Sequence, residues 1–366
     1  MDKQKLIYGA VSGFAALAFS LTPVLAVEAS NSTTGAESKN EAEVEVDNDV
    51  DIYQDNDLTV RNYINVDSET GENSSSKNTG SGSVKTGDAG ASVSITNLGN
   101  SNSASVSMDN GGSASASNDT TGFDSWNEAD VDIDNDFELD QKNDANVYNK
   151  VKVDAETGEN ESDKNTGDGS VSTGDATASV SIENDLNKND AEVSLGSLGD
   201  ASASNKNTGA ESKNEAEVEV DNDVDIYQKN ELNVCNDVDV EAETGENSAS
   251  KNTGDGSVDT GDADVDVTIS NSGNSNSATV EGGDDVDIEV ENDTTGFDSD
   301  NEAEVEVDNE VDVKQKNDSD VKNEGDIDAE TGENESDKNT GDGDVDSGDS
   351  DVDVEVSTDV NSNNLD

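Results

Sequence analysis

Apolar and polar residues alternate with a period of two along most of the chain. In the first stretch with this pattern, the even positions read Asn40, Ala42, Val44, Val46, Asn48, Val50, Ile52, Gln54, Asn56, Leu58, Val60, Asn62, Ile64 and Val66. Most of the odd positions between them are Glu or Asp, and the same series starts again at Asn127, Asn214 and Asn301. Alternation with β-branched residues predicts strands that have one buried face.

Asn and Gln occupy the apolar parity and divide it into groups of two or three. A buried amide needs hydrogen-bond partners. Rungs stacked about 4.8 Å apart would supply them by placing one amide above another in a ladder. We therefore predict inward amide ladders, and the alternative is that these residues are turn residues between exposed strands.

The chain repeats with a step of 87 residues. Thr-Gly pairs end at Gly35, Gly122, Gly209 and Gly296 without any slip in register. Residues 34–54 are identical to 208–228, and 154–169 are identical to 328–343, so alternate repeats match best. The predicted organisation is listed here: a signal peptide over 1–26, a short linker over 27–33, and repeats over 34–120, 121–207, 208–294 and, in a truncated form, 295–366.

Glycine-rich segments in the second half of each repeat predict tight turns between further short strands. On this interpretation each repeat holds about four rungs of ~22 residues. The predicted fold class is all-β: an elongated repeat β-solenoid, similar to a parallel β-helix, of short alternating strands. The alternative is a largely disordered polyanion, because the chain is 29% hydrophobic and carries a net charge of −70.

The first 26 residues have the pattern of a secretory signal. Lys3 and Lys5 precede a nearly uncharged apolar stretch over 6–26, and Val24 and Ala26 suit cleavage after Ala26. We expect an extracellular or cell-surface protein with no membrane insertion after cleavage. An uncleaved membrane anchor is the alternative.

Charge and composition exclude several functions. A net charge of −70 would repel phosphates, so nucleic acid is not an expected partner, whereas cations are. The chain has no His, and its single Cys235 is interpreted as a surface residue rather than a nucleophile. Trp126 is also expected to be exposed, since Lys or Asp takes its place in the other repeats. We predict no enzymatic activity and no required cofactor.

Calcium is the metal that this composition favours, because hard cations bind several oxygen ligands. Asp259, Asp262, Asp264 and Asp266 cluster beside a glycine turn and are the candidate ligands. The spacings of the known calcium-binding loops are absent, so diffuse condensation of cations is the alternative.

The segment from Tyr227 to Asn236, with its counterparts at Gln54, Gln141 and Gln315, resembles the repeats of curli-type proteins. The Asn-Thr-Gly and Thr-Gly-Asp-Ala motifs are similar to those of acidic surface repeat proteins of bacteria and archaea. This resemblance implies a β-solenoid with inward Gln and Asn that builds extracellular structures.

Three functions follow as expectations. The first is a secreted structural element, namely a stalk, filament subunit or adhesin, that contacts other copies or other surface proteins. The second is an extracellular polyanion that binds calcium or other cations and folds with metal. The third is a disordered matrix protein.

Overall fold

The structure is a computed structural model that describes residues 6–8, 14–20, 27–107, 113–194, 200–282 and 287–366. All regular elements in these ranges are β-strands. Their bounds are as follows: β1 Leu6–Tyr8, β2 Phe14–Ser20, β3 Val27–Ser32, β4 Lys39–Glu69, β5 Gly82–Lys85, β6 Ala89–Ser107, β7 Ala114–Asp119, β8 Trp126–Glu156, β9 Asn160–Glu161, β10 Gly169–Ser172, β11 Ala176–Ser194, β12 Ala201–Lys206, β13 Lys213–Glu243, β14 Asn247–Ser248, β15 Gly256–Asp259, β16 Ala263–Glu281, β17 Ile288–Asp293, β18 Asp300–Glu330, β19 Asn334–Glu335, β20 Gly343–Asp346 and β21 Ser350–Leu365.

The strands form five parallel sheets. Their orders are β1-β4-β8-β13-β18, β5-β10-β15-β20, β2-β6-β11-β16-β21, β3-β7-β12-β17 and β9-β14-β19. From β3 onward, each strand pairs with the strand 87 residues away, as Val131 does with Val44 and Val218. The predicted all-β solenoid is confirmed for the described residues, and the disordered alternative does not apply to them.

One rung of the solenoid is a whole repeat, so the expected division of each repeat into four rungs was wrong. The expectation divided each repeat into short strands of about 22 residues per rung, separated by turns. Instead, β4, β8, β13 and β18 continue for 31 residues through the inward Asn and Gln positions, because the amides are satisfied by stacking. A strand of that length spans ~100 Å, whereas four rungs rise by less than ~20 Å.

The amino-terminal residues also contain strands. Val27–Ser32, interpreted from sequence as a linker, is β3 and pairs with Ala114–Asp119. Within the predicted signal peptide, β1 pairs with residues 50–52 and β2 with residues 101–107. The rest of that segment, including the expected cleavage position, lies outside the described residues. No helix in the described ranges is long and apolar enough to cross a membrane.

The core lies between the long sheet of β4, β8, β13 and β18 and the sheets that face it. Alternate residues of each strand point inward, and the second and third repeats bury them almost completely, as for Val131, Val218 and Val267. The inward residues form separate apolar clusters along the strand. Burial of an apolar side chain contributes about 1.5–3 kcal/mol, so each cluster stabilises the stacking of the rungs that build it.

Amide ladders separate these apolar clusters, which confirms the inward interpretation of Asn and Gln. Asn127 donates from Nδ2 to Oδ1 of Asn214 at 2.8 Å, and Asn214 donates to Asn301 at 2.7 Å. Ladders of facing sheets are also bonded to each other, since Asn56 donates to Asn102 at 2.7 Å. The amides therefore bond both along the stack and across the core.

Corner positions recur with the same step of 87 residues. Asn100, Asn187, Asn274 and Asn361 have positive φ values of 59°, 61°, 55° and 69°. Asn adopts this left-handed conformation more readily than most residues. Gly245 shows a second requirement, because a Cβ there would lie 2.2 Å from the carbonyl oxygen of Gly158 in the next rung.

Candidate functional site: a stacked carboxylate face

The outward side of the long sheet carries the densest group of charges in the described chain. Six adjacent outward positions are acidic in all four repeats, and we call these residues the acidic face. Its members are Glu41, Glu43, Glu45, Asp47, Asp49 and Asp51; Glu128, Asp130, Asp132, Asp134, Asp136 and Glu138; Glu215, Glu217, Glu219, Asp221, Asp223 and Asp225; and Glu302, Glu304, Glu306, Asp308, Glu310 and Asp312.

The register of the strands creates this face. Because Glu45 pairs with Asp132, Asp132 with Glu219 and Glu219 with Glu306, like charges stack along each column. Neighbouring strands lie about 4.8 Å apart, so two stacked carboxylates repel by roughly 0.9 kcal/mol even in bulk water. The apolar inward residues hold the carboxylates in this arrangement against that repulsion.

The pKa values of the inner columns respond to this environment. Partial burial raises the pKa of Asp132, and the charges of Glu45 and Asp221 raise it further. Burial also raises the pKa of Asp136, assisted by Asp223 and Asp49. Binding of a proton or a cation therefore reduces the repulsion between the carboxylates of the face.

Basic residues meet the acidic face at both of its borders, and the first border lies at the start of the long strands. Lys39 is 2.9 Å from Glu41, and Lys213 is 2.9 Å from Glu215. Both ammonium groups lie over the Trp126 ring, at 5.0 and 5.3 Å from its centroid. Trp126 is 45% exposed, as expected from the sequence. Its ring and the two lysines end the face at the start of the strands.

The opposite border has a column that contains two tyrosines, Tyr53 and Tyr227. The Lys142 ammonium group lies between the rings of Tyr53 and Tyr227, at 5.1 and 5.4 Å from their centroids. It also forms an ion pair with Asp140. Cation–π contacts at such exposed sites contribute about 0.5–1 kcal/mol each.

The four predicted calcium ligands lie on a different part of the solenoid. Asp259 ends β15, Asp262 lies in the following turn, and Asp264 and Asp266 point outward from β16. All four are exposed. In the described part of the chain, no group of three or more His, Cys, Asp or Glu residues is arranged to hold a metal ion.

Asp262 instead has a structural contact that the sequence interpretation missed. Its Oδ1 accepts a hydrogen bond from the backbone N–H of Asp349 at 2.8 Å, and Asp175 accepts one from Asp262 at 3.0 Å. Asp168 and Asp255 form the same contact in the other glycine turn. The recurrence of Gly-Asp pairs every 87 residues could have indicated this contact. An Asp that follows a turn glycine can accept a hydrogen bond from a backbone N–H of the next rung.

Asp163 is the buried acid of the described structure, with 4% of its surface exposed. Burial alone would raise its pKa. The N–H of Ser250, which donates to Oδ1 at 2.9 Å, together with the ammonium groups of Lys251 and Lys164, outweighs burial and lowers the pKa. This acid stabilises the junction of the second and third repeats while it is charged.

Cys235 lies on the outward side of β13, half-buried, and pairs with Tyr148 and Lys322 in the adjacent rungs. The first repeat has Arg61 at the equivalent position.

Comparison with family models, with curated proteins and with solved structures gives no match.

Proposed function

We propose that the chain is a secreted, non-enzymatic structural repeat protein of the cell surface, acting as a stalk, a filament subunit or an adhesin. The observation that carries this proposal is the direction of the buried polar bonds. Interior amides such as Asn127, Asn214 and Asn301 bond along the stacking axis. The buried polar groups thus join rungs into a scaffold.

The outer surface supports the same role. The acidic face presents 24 carboxylates on one side of the long sheet. Such a surface is strongly hydrated and attracts cations while repelling other polyanions. It suits a protein that separates or spaces partners outside the cell.

The test is to determine where the chain resides and where it begins. Immunogold labelling of intact cells that produce the protein should find it at the surface, and sequencing of its amino terminus should begin near Val27. The predicted signal peptide, residues 1–26, is called the leader below. A Leu17→Arg variant, which interrupts its apolar stretch, is the control and should remain inside the cell. A cytosolic protein that retains Met1 would contradict the proposal.

Cation binding is the second candidate function, favoured by the raised pKa values in the acidic face. Calorimetric titration with calcium at constant ionic strength should give many weak, similar binding events. Neutralising Asp132, Asp136 and Glu219 to their amides should reduce the total heat, whereas Asp259→Asn should change it little. A circular dichroism spectrum recorded with a chelator distinguishes a fold that requires metal from one that does not. Only a fold that requires metal loses its strand signal when the chelator is added.

A further inference from the structure

The fourth repeat has an apolar edge that no strand of the described residues covers. Its inward valines are about half exposed, although they have the same parity as the core residues of the third repeat. The exposed residues are Val305, Val307, Val311, Val345, Val352, Val354 and Val356, at 43–51%. Their counterparts Val218, Val220, Val224, Val258, Val265, Val267 and Ile269 are 0–4% exposed. We call this edge the fourth-repeat end.

The Asn ladders have a direction, so their two ends differ, and the Gln ladder runs the opposite way, since Gln141 donates to Gln54 at 2.7 Å. Each Asn donates from Nδ2 to the next repeat, as Asn230 does to Asn317 at 3.0 Å. The first repeat consequently presents acceptors, and two of them, the Oδ1 atoms of Asn56 and Asn100, are buried without a hydrogen-bond partner. Both residues are 0% exposed. Both values hold for the full chain, in which β1 and β2 pair with the first repeat. Removal of these strands opens the edge, and the two acceptors are then available to a donor from another copy.

The missing partner is available at the fourth-repeat end. Asn317 and Asn361 continue the ladders of Asn56 and Asn100 three repeats later, and their Oδ1 atoms accept from the third repeat. Their Nδ2 groups donate only within the fourth repeat, to Ser362, Asn363 and Ser319, so neither has a partner in a further rung. A fourth repeat placed against a first repeat would therefore supply donors to both unpaired acceptors. The backbone edges also match, because parallel pairing with the same step runs through every repeat.

The chain already contains this kind of junction. Repeats one and three share residues 34–54 and 208–228, and repeats two and four share 154–169 and 328–343. A fourth repeat that meets a first repeat would thus resemble the contact between the second and third repeats.

We propose that processed chains stack end to end, with the fourth repeat of one copy on the first repeat of the next, in the register of the chain's own repeats. The proposal deepens the proposed structural function and rests on it for removal of the leader. The occupant of the open edge is a second copy of this chain.

Charges at the new junction resemble those inside the chain. Asp300 would face Lys39 of the next copy, as it faces Lys213 within the chain. Lys316 would face Asp55, which adds a second ion pair. The acidic face would continue across the junction with the same like-charge columns, so stacking should require salt or divalent cations.

The leader occupies part of the opposite edge. β1 pairs with residues 50–52 and β2 with residues 101–107, both in the first repeat. Val50 is 2% exposed there, whereas its counterpart Val311 at the fourth-repeat end is 47% exposed. Removal of the leader frees this edge, so the full chain should stack less readily than the processed chain. All strands from β3 onward pair with one another, so the processed chain keeps each of its sheets.

A cysteine pair tests the register. In a Cys235→Ser background, Arg61→Cys and Lys322→Cys are combined in the processed chain, and the protein is oxidised in moderate salt. Within one copy these positions are three rungs, or ~14 Å, apart, which is too far for a disulfide. Between stacked copies they are adjacent. Arg61→Cys with Glu324→Cys is the matched control, displaced by two residues along the strand.

Non-reducing electrophoresis should show a series of linked multimers for the 61 and 322 pair and mostly monomers for the control. Sedimentation of the unmodified processed chain should show concentration-dependent multimers that the full chain lacks. A processed chain that stays monomeric in salt and calcium overturns stacking, as do equal multimers from both cysteine pairs. Equal multimers from the full and processed chains overturn the capping role. These outcomes are independent of cell-surface location, which tests the proposed function separately.

Discussion

Asn143 and Asn230, 87 residues apart in the chain, are joined by a buried side-chain hydrogen bond of 3.0 Å between Nδ2 and Oδ1. Asn143 also donates to Asn189 of the facing sheet at 2.8 Å. This residue links adjacent rungs and opposite walls of the core, so its amide contributes to both the stacking and the closure of the solenoid.

Replacing this amide should weaken the whole fold. Asn143→Ala leaves the Nδ2 groups of Asn56 and Asn102 without one acceptor, which costs about 1–3 kcal/mol for each unsatisfied group. Asn146→Ala, three residues away on the exposed side, is the control and should change stability by less than about 0.5 kcal/mol. Urea unfolding measures both free energies. Equal losses would refute the role of the ladder.

The two faces of β13 should respond differently to substitution. Val218→Asp places a charge at a site with 0% exposure and should destabilise the protein by several kcal/mol. Glu219→Gln, next to it on the acidic face, removes repulsion from Asp132 and Glu306 and should be neutral or stabilising. Thermal melts measure both effects. Equal decreases in melting temperature would contradict the assignment of Val218 to the inward side and Glu219 to the outward side.

Mild acidification should stabilise the protein. Burial and neighbouring carboxylates raise the folded-state pKa of Asp130, Asp132, Asp136, Glu217 and Glu219. The folded state then binds protons more readily than the unfolded state, so the free energy of unfolding falls as pH rises through these pKa values. The melting temperature should therefore rise as pH is lowered from 7 to about 5.

In stronger acid the trend should reverse, because Asp163 has a lowered pKa and loses its stabilising charge as pH falls through that value. The triple variant Asp132→Asn, Asp136→Asn and Glu219→Gln is the control and should show a smaller rise between pH 7 and about 5. A melting temperature that only falls on acidification of the unmodified protein would rule out repulsion as the dominant electrostatic term.

Cations should raise the stability of the folded chain. The sequence has 19 basic and 89 acidic residues, so most of the acidic charge must be neutralised from solution. High sodium chloride shortens the Debye length to ~3 Å at 1 M, and millimolar calcium can bridge adjacent carboxylates. The melting temperature should therefore be lowest in low salt, higher in high sodium chloride and highest in calcium. Identical curves would show that the stacked columns carry no net repulsion.

The period-two pattern was enough to predict the strands, the buried parity and the inward amides. It could not predict the length of a rung, because an inward Asn is compatible with a corner or with a straight strand. Both Asn135 and Asn187 lie within the bounds of a strand, but only Asn187 adopts the left-handed conformation. Pairing with residues 87 positions away decides whether an inward Asn forms a corner or continues a straight strand. The local pattern of polar and apolar residues does not specify that pairing.

The acidic face was predicted in part. The excess of acid was evident from composition, and the stacked columns follow once one repeat equals one rung. The local sequence presents the Asp262 cluster as a candidate metal site, because the hydrogen bond that Asp262 accepts from Asp349 in the next repeat depends on stacking that the local sequence does not specify.

A disulfide with the native Cys235 tests most directly that one repeat forms one rung. Tyr148→Cys places a second thiol at the paired position in the adjacent rung, about 4.8 Å away between Cα atoms, within the range that a disulfide spans. Lys213→Cys, 22 residues before Cys235, tests the alternative of short rungs and lies ~70 Å away along the same strand. Under mild oxidation, mass spectrometry should find an intramolecular disulfide in the Tyr148→Cys protein and free thiols in the Lys213→Cys protein. The opposite result would contradict the fold.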